Sequence, residues 1–255
     1  MPNLLRTLFF LLFMVLWFLP FTGFVALTSW MSLSERYAFV TRWNRRVTTR
    51  AFEWILGVRY RVEGMENLPQ TPAVILAKHS SAWETLALAN FLPPIAYVLK
   101  RELLRIPFFG WGLARMPMIS INRRAGKDAL RQVVEQGRAL LAQGFWVIIF
   151  PEGTRTAIGT QARYKAGGAS LAVAAGVPVV PLVHNAGEFW PRHAFVICPG
   201  EIVVSIGPAI ETAGRTPDEV TAATEAWMEA EMRRLFPHHY NSSTAGARPV
   251  PEARS

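Results

Sequence analysis

The sequence predicts an α/β domain with a mostly parallel central sheet flanked by helices, preceded by an N-terminal membrane-embedded helical segment. Two observations support this expectation. After Gly57, short β-branched runs alternate with helical patterns, which is typical of a parallel sheet covered on both faces. Before it, positions 7–34 contain no charged residue. A chain of 255 residues is long enough to bury a sizeable core.

The composition excludes several classes of protein. A single cysteine, Cys198, rules out an internal disulfide framework, and no Cys/His cluster has zinc-ligand spacing, so we expect no structural metal. The net charge is +9, and 51% of the residues are hydrophobic. Basic proteins that bind nucleic acid are usually more polar, and no nucleic-acid-binding motif occurs. The expected partners are therefore membrane lipids and not nucleic acid.

Residues 1–56 form the predicted membrane segment. Residues 8–27 are apolar and long enough to cross a bilayer core of about 30 Å as a helix. The run exceeds the apolar part of a signal peptide, about 7–15 residues, so we expect it to stay attached. Two geometries are open: a single span, and a helical hairpin within one leaflet. A break at Pro20 and Gly23 favours the hairpin.

The stretch 37–56 predicts an amphipathic helix at the membrane interface. Its apolar residues recur at spacings of three and four, whereas the arginines fall mostly on other faces and would meet lipid head groups. These arginines are Arg36, Arg42, Arg45, Arg46 and Arg50. The alternative is an ordinary domain helix with a solvated charged face. Because the arginines follow the hydrophobic run, we expect the next domain on the cytoplasmic side of the cell inner membrane.

Residues 57–237 are expected to form the α/β domain. Hydrophobic periodicity and turn residues predict strands at 58–62, 73–77, 95–99, 117–121, 145–150, 177–183, 194–198 and 201–206. The predicted helices lie at 84–91, 127–142, 168–175 and 217–236, the last of them capped by Thr216. The tail, 238–255, is polar and contains proline, so we expect it to be disordered.

Polar residues follow two of these strands, and ligands gather at the carboxyl ends of strands in open α/β sheets. In the first loop His79 precedes a predicted helix, and Glu84 lies in its first turns. A neutral imidazole accepts a proton near neutral pH, and a carboxylate on its far nitrogen fixes the tautomer. The pair is suited to deprotonating a hydroxyl. Alternatively, Ser81 and Glu84 form a capping box, and His79 is an ordinary loop residue.

The second loop has the sequence PEGTR at 151–155. Its glycine permits close backbone approach, and arginine grips phosphate through two parallel hydrogen bonds, so the loop predicts an anion site. The alternative is a turn in which Arg155 pairs with Glu152. Two further candidates for binding an anion are Arg123, which follows an apolar strand, and Lys165, which precedes a glycine pair. Considered alone, each is more typical of an ordinary surface charge.

Taken together and in order, these blocks resemble the glycerolipid acyltransferase family that includes the 1-acyl-glycerol-3-phosphate acyltransferases. The resemblance covers roughly residues 60–210. Four family blocks are involved: a histidine and an acid five residues apart, a glycine leading to a strand that ends in arginine, the motif FPEGTR, and an apolar stretch around a proline. They are matched by His79 and Glu84, by Gly110 and Gly112 through Arg123, by 150–155, and by 177–183.

The resemblance implies that His79 is a general base, oriented by Glu84, for attack of the sn-2 hydroxyl of lysophosphatidic acid on an acyl thioester, giving phosphatidic acid. The donor would be acyl-CoA or acyl carrier protein, with no cofactor or metal. The implied substrate-binding residues are Arg123 and Arg155 for the phosphate, Glu152 and Gly153 for the glycerol, Thr154 in the same motif, and Lys100 and Lys165 for added positive charge.

One departure from the family pattern leaves alternatives open. The family's acid is usually Asp, and Glu84 is one methylene longer, so either the pair's geometry is adjusted or the substrate differs. The alternatives are an acyltransferase for another lyso-lipid, such as lyso-ornithine lipid, and a non-catalytic, membrane-anchored lipid-binding module. A lipase-like hydrolase is disfavoured because no G-x-S-x-G elbow occurs.

Overall fold

A computed structural model describes residues 2–122 and 125–240 of the chain. It begins with two long helices, α1 (Asn3–Leu27) and α2 (Leu33–Arg50), and α2 continues into a π-helical turn, Ala51–Leu56. The expected disorder of the tail is wrong for its first three positions, because residues 238–240 continue from the preceding helix, Pro217–Leu235, through a 3₁₀ turn in which the Tyr240 N–H donates to the Pro237 carbonyl at 3.0 Å. Positions 241–255 lie outside the described residues.

The α/β domain follows, with seven strands among the described residues. They are β1 (Val58–Glu63), β2 (Val74–Ala77), β3 (Ile95–Lys100), β4 (Met118–Ile121), β5 (Trp146–Ile149), β6 (Val179–His184) and β7 (Gly200–Ile206). The helices are α3 (Trp83–Ala87), α4 (Phe109–Leu113), α5 (Lys127–Ala142), α6 (Gly167–Ala175), α7 (Ala186–Phe189) and α8 (Pro217–Leu235). Short 3₁₀ helices lie at Met65–Asn67, Leu88–Asn90, Arg101–Arg105 and Pro237–His239.

The strands form one sheet in the order β1-β7-β6-β2-β5-β3-β4. Every neighbouring pair is parallel except β6 and β7, so the predicted fold class is confirmed. Side chains of the central strand β2 alternate between two cores: Ile75 and Ala77 pack on one side, and Val74 and Leu76 on the other. The strand is therefore covered on both faces, as its continuous apolar run predicted.

Most predicted elements form within two or three residues of their expected bounds, but the strand predicted at 194–198 is wrong. The Ile197 N–H donates to Thr7 Oγ1 at 3.0 Å, and the Cys198 N–H donates to the Phe189 carbonyl at 2.9 Å. These backbone donors are satisfied by α1 and by the end of α7, and so need no neighbouring strand.

α1 is one continuous helix, so the predicted break at Pro20 and Gly23 is wrong. Pro20 lies on the exposed face, where a missing N–H does not disturb the packed face. By length and composition, α1 is able to cross a membrane, and it lies near the N-terminus.

The inner face of α1 packs along the α/β domain. Phe10 is 1% exposed, and its ring meets that of Trp190 edge-on, with the centroids 6.3 Å apart. Further along, Gly112 of α4 lies so close to α1 that an added Cβ would stand 2.7 Å from the Thr22 carbonyl oxygen. The opposite face exposes large apolar side chains, among them Leu4, Leu5, Leu8, Phe9, Leu12, Val15, Leu16 and Leu19. The helix is thus both core element and apolar surface.

The turn between α1 and α2 is closed by Arg36, which is 7% exposed. Its guanidinium donates to the carbonyl oxygens of Thr28 at 2.7 Å and Met31 at 2.6 Å. The expectation that Arg36 faces lipid head groups is therefore wrong, because the carbonyls after α1 need donors and Arg36 supplies them. The neighbouring Tyr37 is also buried, in the second core.

Candidate active site

Three neighbouring strands end at one edge of the sheet. β2 runs into Lys78 and His79, β5 runs into the loop 150–155, and β6 ends at His184. β2 pairs in parallel with both β5 and β6, so the three carboxyl ends point the same way. This is the edge where an open α/β sheet binds ligands.

His79 and Glu84 form a hydrogen-bonded pair at this edge. His79 Nδ1 lies 2.7 Å from Glu84 Oε1, and the carboxylate is fully buried. The same oxygen accepts the N–H groups of Ser80 and Ser81, each at 3.0 Å. The predicted capping box forms only in part: Glu84 accepts the Ser81 N–H, but the Ser81 hydroxyl accepts the N–H of Trp83 and not that of Glu84. Glu84 thus holds the backbone before α3 and also orients the imidazole. The longer side chain reaches the ring at an ordinary hydrogen-bond distance.

The loop 150–155 holds His79 from the other side. The ring stacks on Phe150, with centroids 4.1 Å apart and the planes 16° from parallel. The His79 N–H donates to Glu152 Oε2 at 2.7 Å, and the His79 carbonyl accepts the N–H of Thr156 at 2.8 Å. Both the ring and the backbone of His79 are therefore fixed by residues of this loop and by Thr156, which follows it.

A buried charge cluster lies beneath these loops. Lys78 is 2% exposed, and its Nζ lies 2.9 Å from Glu152 Oε1 and 2.6 Å from Glu229 Oε1 of α8. The Tyr164 hydroxyl donates to Glu229 Oε1 at 3.0 Å. Burial lowers the pKa of Lys78, but the two carboxylates outweigh burial and raise that pKa overall. Burial, followed by the charge of Glu229, raises the pKa of Tyr164. The cluster therefore contains a charged lysine and a neutral phenol.

His184 is a second buried histidine at this edge. Its Nδ1 accepts the N–H of Ala186 at 3.2 Å, and its Nε2 donates to the Lys78 carbonyl at 3.0 Å. Burial lowers the pKa of His184, and the Glu84 carboxylate 3.8 Å away only partly opposes this effect. Because both nitrogens are occupied and the ring is neutral, His184 supports the backbone before His79 and does not act as a second base.

A cavity of about 580 Å³ opens beside His79. Its polar lining includes Lys100 and Arg155, whereas α1, β3 and α4 supply apolar walls such as Phe18, Val98 and Leu113. This volume lies in the range typical of small-molecule sites, about 300–1,000 Å³. A reacting base, cationic side chains and a long apolar wall therefore share one cavity.

The structure brings most of the predicted substrate-binding residues together. Lys100, Gly153, Thr154 and Arg155 line the cavity with His79. Glu152 does not: it is buried beneath the loop and pairs with Lys78. We therefore assign Glu152 to positioning His79 and not to contacting the glycerol.

The remaining two candidates have different outcomes. Lys165 is exposed beside Gly153, which has a φ of +71°, and a Cβ added there would stand 2.6 Å from Lys165 Nζ. Only glycine allows this turn and this approach without strain. Arg123 lies outside the described residues, so its predicted role stays a prediction.

The buried charge cluster around Lys78 was not predicted from the sequence. Lys78 was visible as a charged residue between a buried strand and His79, and such a residue requires a partner. Its partner Glu229 lies 151 positions away in α8, where it reads as one acid among several on an amphipathic helix. His184 had a local signal, since it directly follows the predicted strand 177–183.

The fold and this site define an acyltransferase. Residues 59–185 match a family model described as Acyltransferase. A 1-acyl-sn-glycerol-3-phosphate acyltransferase of Pseudomonas aeruginosa is 45% identical over 205 residues, covering 79% of this chain and 80% of the relative. The human 1-acyl-sn-glycerol-3-phosphate acyltransferase alpha is 34% identical over 179 residues, covering 68% of this chain and 62% of the relative.

Among solved structures, the 1-acyl-sn-glycerophosphate (LPA) acyltransferase PlsC of Thermotoga maritima matches with a TM-score of 0.77 and 26% identity, covering 92% of this chain and 97% of that one. The chain belongs to the 1-acyl-sn-glycerol-3-phosphate acyltransferase family. It is therefore an enzyme, and the non-catalytic lipid-binding alternative is set aside. Its apolar N-terminal helix indicates membrane association.

Proposed function

We propose that this enzyme transfers a fatty acyl group from an acyl thioester to the sn-2 hydroxyl of lysophosphatidic acid, making phosphatidic acid. The central observation is the His79–Glu84 pair, with its 2.7 Å hydrogen bond, beside a cavity that has a long apolar wall and two cationic lining residues, Lys100 and Arg155. Such a cavity suits a substrate with a phosphate at one end and a hydrocarbon chain at the other.

In the proposed reaction Glu84 holds the Nδ1 proton of His79, which leaves Nε2 as the acceptor. Among the described residues, none hydrogen-bonds to that nitrogen. His79 removes the proton of the sn-2 hydroxyl as its oxygen attacks the thioester carbon. The C–S bond then breaks, and the imidazolium returns its proton to the departing thiolate. Ser80 and Ser81 donate their N–H groups to Glu84, so neither N–H serves the oxyanion.

The substrate phosphate is proposed to bind the cationic side of the cavity. Arg155 and Lys100 both line it, and Lys165 lies next to Gly153 on the same loop edge. Arginine binds phosphate through two parallel hydrogen bonds, and lysine adds a point charge. Arg123 is proposed to contribute on the family resemblance alone.

The acyl chain is proposed to lie along the apolar wall, and Ala89 offers a position at which to test this, because it lines the cavity. We expect Ala89→Phe to lower kcat/KM about tenfold or more for the longest donors and less than twofold for the shortest. Each displaced methylene costs about 0.8 kcal/mol, roughly a fourfold change. Rates measured across a series of donor lengths check this.

The matched control is Ala142→Phe, at an exposed position of α5 outside the cavity lining. This variant should keep the wild-type profile of rate against chain length. If Ala89→Phe lowered kcat/KM equally at every chain length, the apolar wall would not select the length of the acyl chain.

α1 is proposed to lie in one leaflet with its exposed apolar face in lipid, and not to span the bilayer. Thr7, Phe10 and Thr22 contact the α/β domain at points spread along the helix, so α1 and the domain share one side of the membrane. We propose the cytoplasmic side of the inner membrane. An N-terminal tag should then be cleaved by protease only in inverted vesicles; cleavage in intact spheroplasts would favour a span.

The product assay decides between acceptors and between donors. Purified full-length enzyme receives lysophosphatidic acid or lyso-ornithine lipid, each with acyl-CoA and separately with acyl carrier protein thioester. We expect new phosphatidic acid by lipid analysis in the lysophosphatidic acid reactions. Product from lyso-ornithine lipid alone would replace the proposed acceptor, and no product with any donor would overturn the proposed function.

A further inference from the structure

Three potential metal ligands converge on the surface where the chain leaves α8. The Nε2 atoms of His238 and His239 lie 3.4 and 2.8 Å from the same oxygen, Glu188 Oε1 of α7. The two imidazole centroids are 4.1 Å apart. The three ligand atoms all lie within 4.8 Å of one another.

This donor set suits a divalent transition metal. Two imidazoles and one carboxylate are ligands that zinc takes in tetrahedral sites, with bonds of about 2.0–2.2 Å. Two ligands of one tetrahedral zinc ion lie roughly 3.3 Å apart, and the two observed nitrogen–oxygen distances bracket that value. A zinc ion therefore fits among these atoms after small side-chain rotations and leaves one position for water.

The cluster lies at a junction of three segments. His238 and His239 belong to the short helix after α8, Glu188 belongs to α7, and the loop after PEGTR packs against the short helix through Gly159. A Cβ added at Gly159 would stand 2.5 Å from the His239 carbonyl oxygen. None of the three ligand residues lines the cavity beside His79. A metal here would brace the C-terminal end of α8 without entering the reaction.

We infer that Glu188, His238 and His239 form a binding site for a divalent transition metal outside the catalytic cavity, with zinc as the best-suited ion. The sequence did not predict this site, because its carboxylate lies about fifty positions before its histidines, whereas zinc spacing rules rely on closely spaced pairs.

The test uses tag-free, full-length protein in detergent, stripped with a chelator and titrated with Zn²⁺ by competition with a chromophoric chelator. We expect one zinc per chain and an increase in Tm on binding. His239→Ala and Glu188→Gln should each weaken zinc binding about tenfold or more. The matched control is His193→Asn, an exposed histidine outside the cluster, which should bind zinc like the wild type.

Melting curves of the zinc-free variants show whether they fold, and X-ray absorption of the zinc-loaded wild type reports its histidine ligands. Two imidazole ligands in the absorption spectrum, together with weaker zinc binding in His239→Ala and Glu188→Gln, would support the site. Zinc binding that disappears in His79→Ala but persists in His239→Ala would assign the metal to the active site and overturn the inference. Absence of stoichiometric binding in the wild type would also overturn it.

Discussion

His79→Ala is expected to lower the rate of phosphatidic acid formation about 10²–10⁴-fold, the usual contribution of a positioned general base. The substitution removes the acceptor nitrogen beside the cavity. It leaves Glu84 bonded to the N–H groups of Ser80 and Ser81, so the buried carboxylate keeps partners and the fold should survive. Initial rates with saturating lysophosphatidic acid measure the loss. Thermal unfolding and flotation with liposomes should match the wild type.

Glu84→Gln tests whether the carboxylate acts through His79. The side chain keeps its size but loses the charge that favours the imidazolium, so we expect kcat to fall while KM changes little. In the double variant of His79→Ala and Glu84→Gln, the second substitution should add almost nothing, because both act on one group. Wild-type activity in His79→Ala, or additive losses in the double variant, would contradict the mechanism.

Lys78→Met is expected to give the largest loss of stability, about 3–5 kcal/mol in the free energy of unfolding. The substitution leaves Glu152 and Glu229 buried without the cation that lies 2.9 and 2.6 Å from them. For a chain of this size the change corresponds to a Tm roughly 6–20 °C lower. Activity should fall as well, because Glu152 also holds the His79 N–H. Tryptophan fluorescence during thermal and denaturant unfolding measures the effect.

The pH dependence of this effect follows from the direction of the pKa shift. The pKa of Lys78 is raised in the fold, so its contribution is complete below the ordinary lysine value of about 10.4 and is lost only as the pH passes the raised pKa. The stability difference between wild type and Lys78→Met should therefore stay nearly constant from about pH 6 to 9.

Adding Glu229→Gln to Lys78→Met provides the control. It removes a carboxylate left without its cation, so we expect recovery of about 1–3 kcal/mol. A single variant Lys78→Met as stable as the wild type would show that the cluster does not hold the loops together. A double variant no better than the single one would show that Glu229 is not the unpaired charge.

The sheet could be predicted because its strands are local patterns. β2 is covered on both faces, so its residues form one continuous apolar run, and α5 was predicted at its observed bounds. Residues 194–198 have an equally apolar pattern. They remain outside the sheet because Thr7, 190 positions earlier, takes one of their N–H groups. No local pattern encodes that contact.

The site divides in the same way. His79 and Glu84 are five positions apart, and their pairing follows from one turn of chain between a strand and a helix. Glu152 was expected to contact the glycerol, but it pairs with Lys78. The sequence could not predict this pair, because a buried lysine needs an acidic partner and any acid in the chain could supply it. The pairing of residues close in sequence was predictable. The pairing of buried charges was not, because it depends on how α8 packs against the sheet.

The packing of α1 determines what a soluble form of this enzyme can be. Phe10 lies in the same core as Ile75 and Ala77 of β2, and Thr7 accepts a backbone hydrogen bond of the domain. Truncation before the sheet would therefore remove folding free energy along with lipid affinity. Attachment and catalysis therefore cannot be separated by cutting the chain. They can be separated by chemistry on one face of the helix, by exchanging exposed Leu8, Leu12 and Leu16 for polar residues and leaving Thr7 and Phe10 in place.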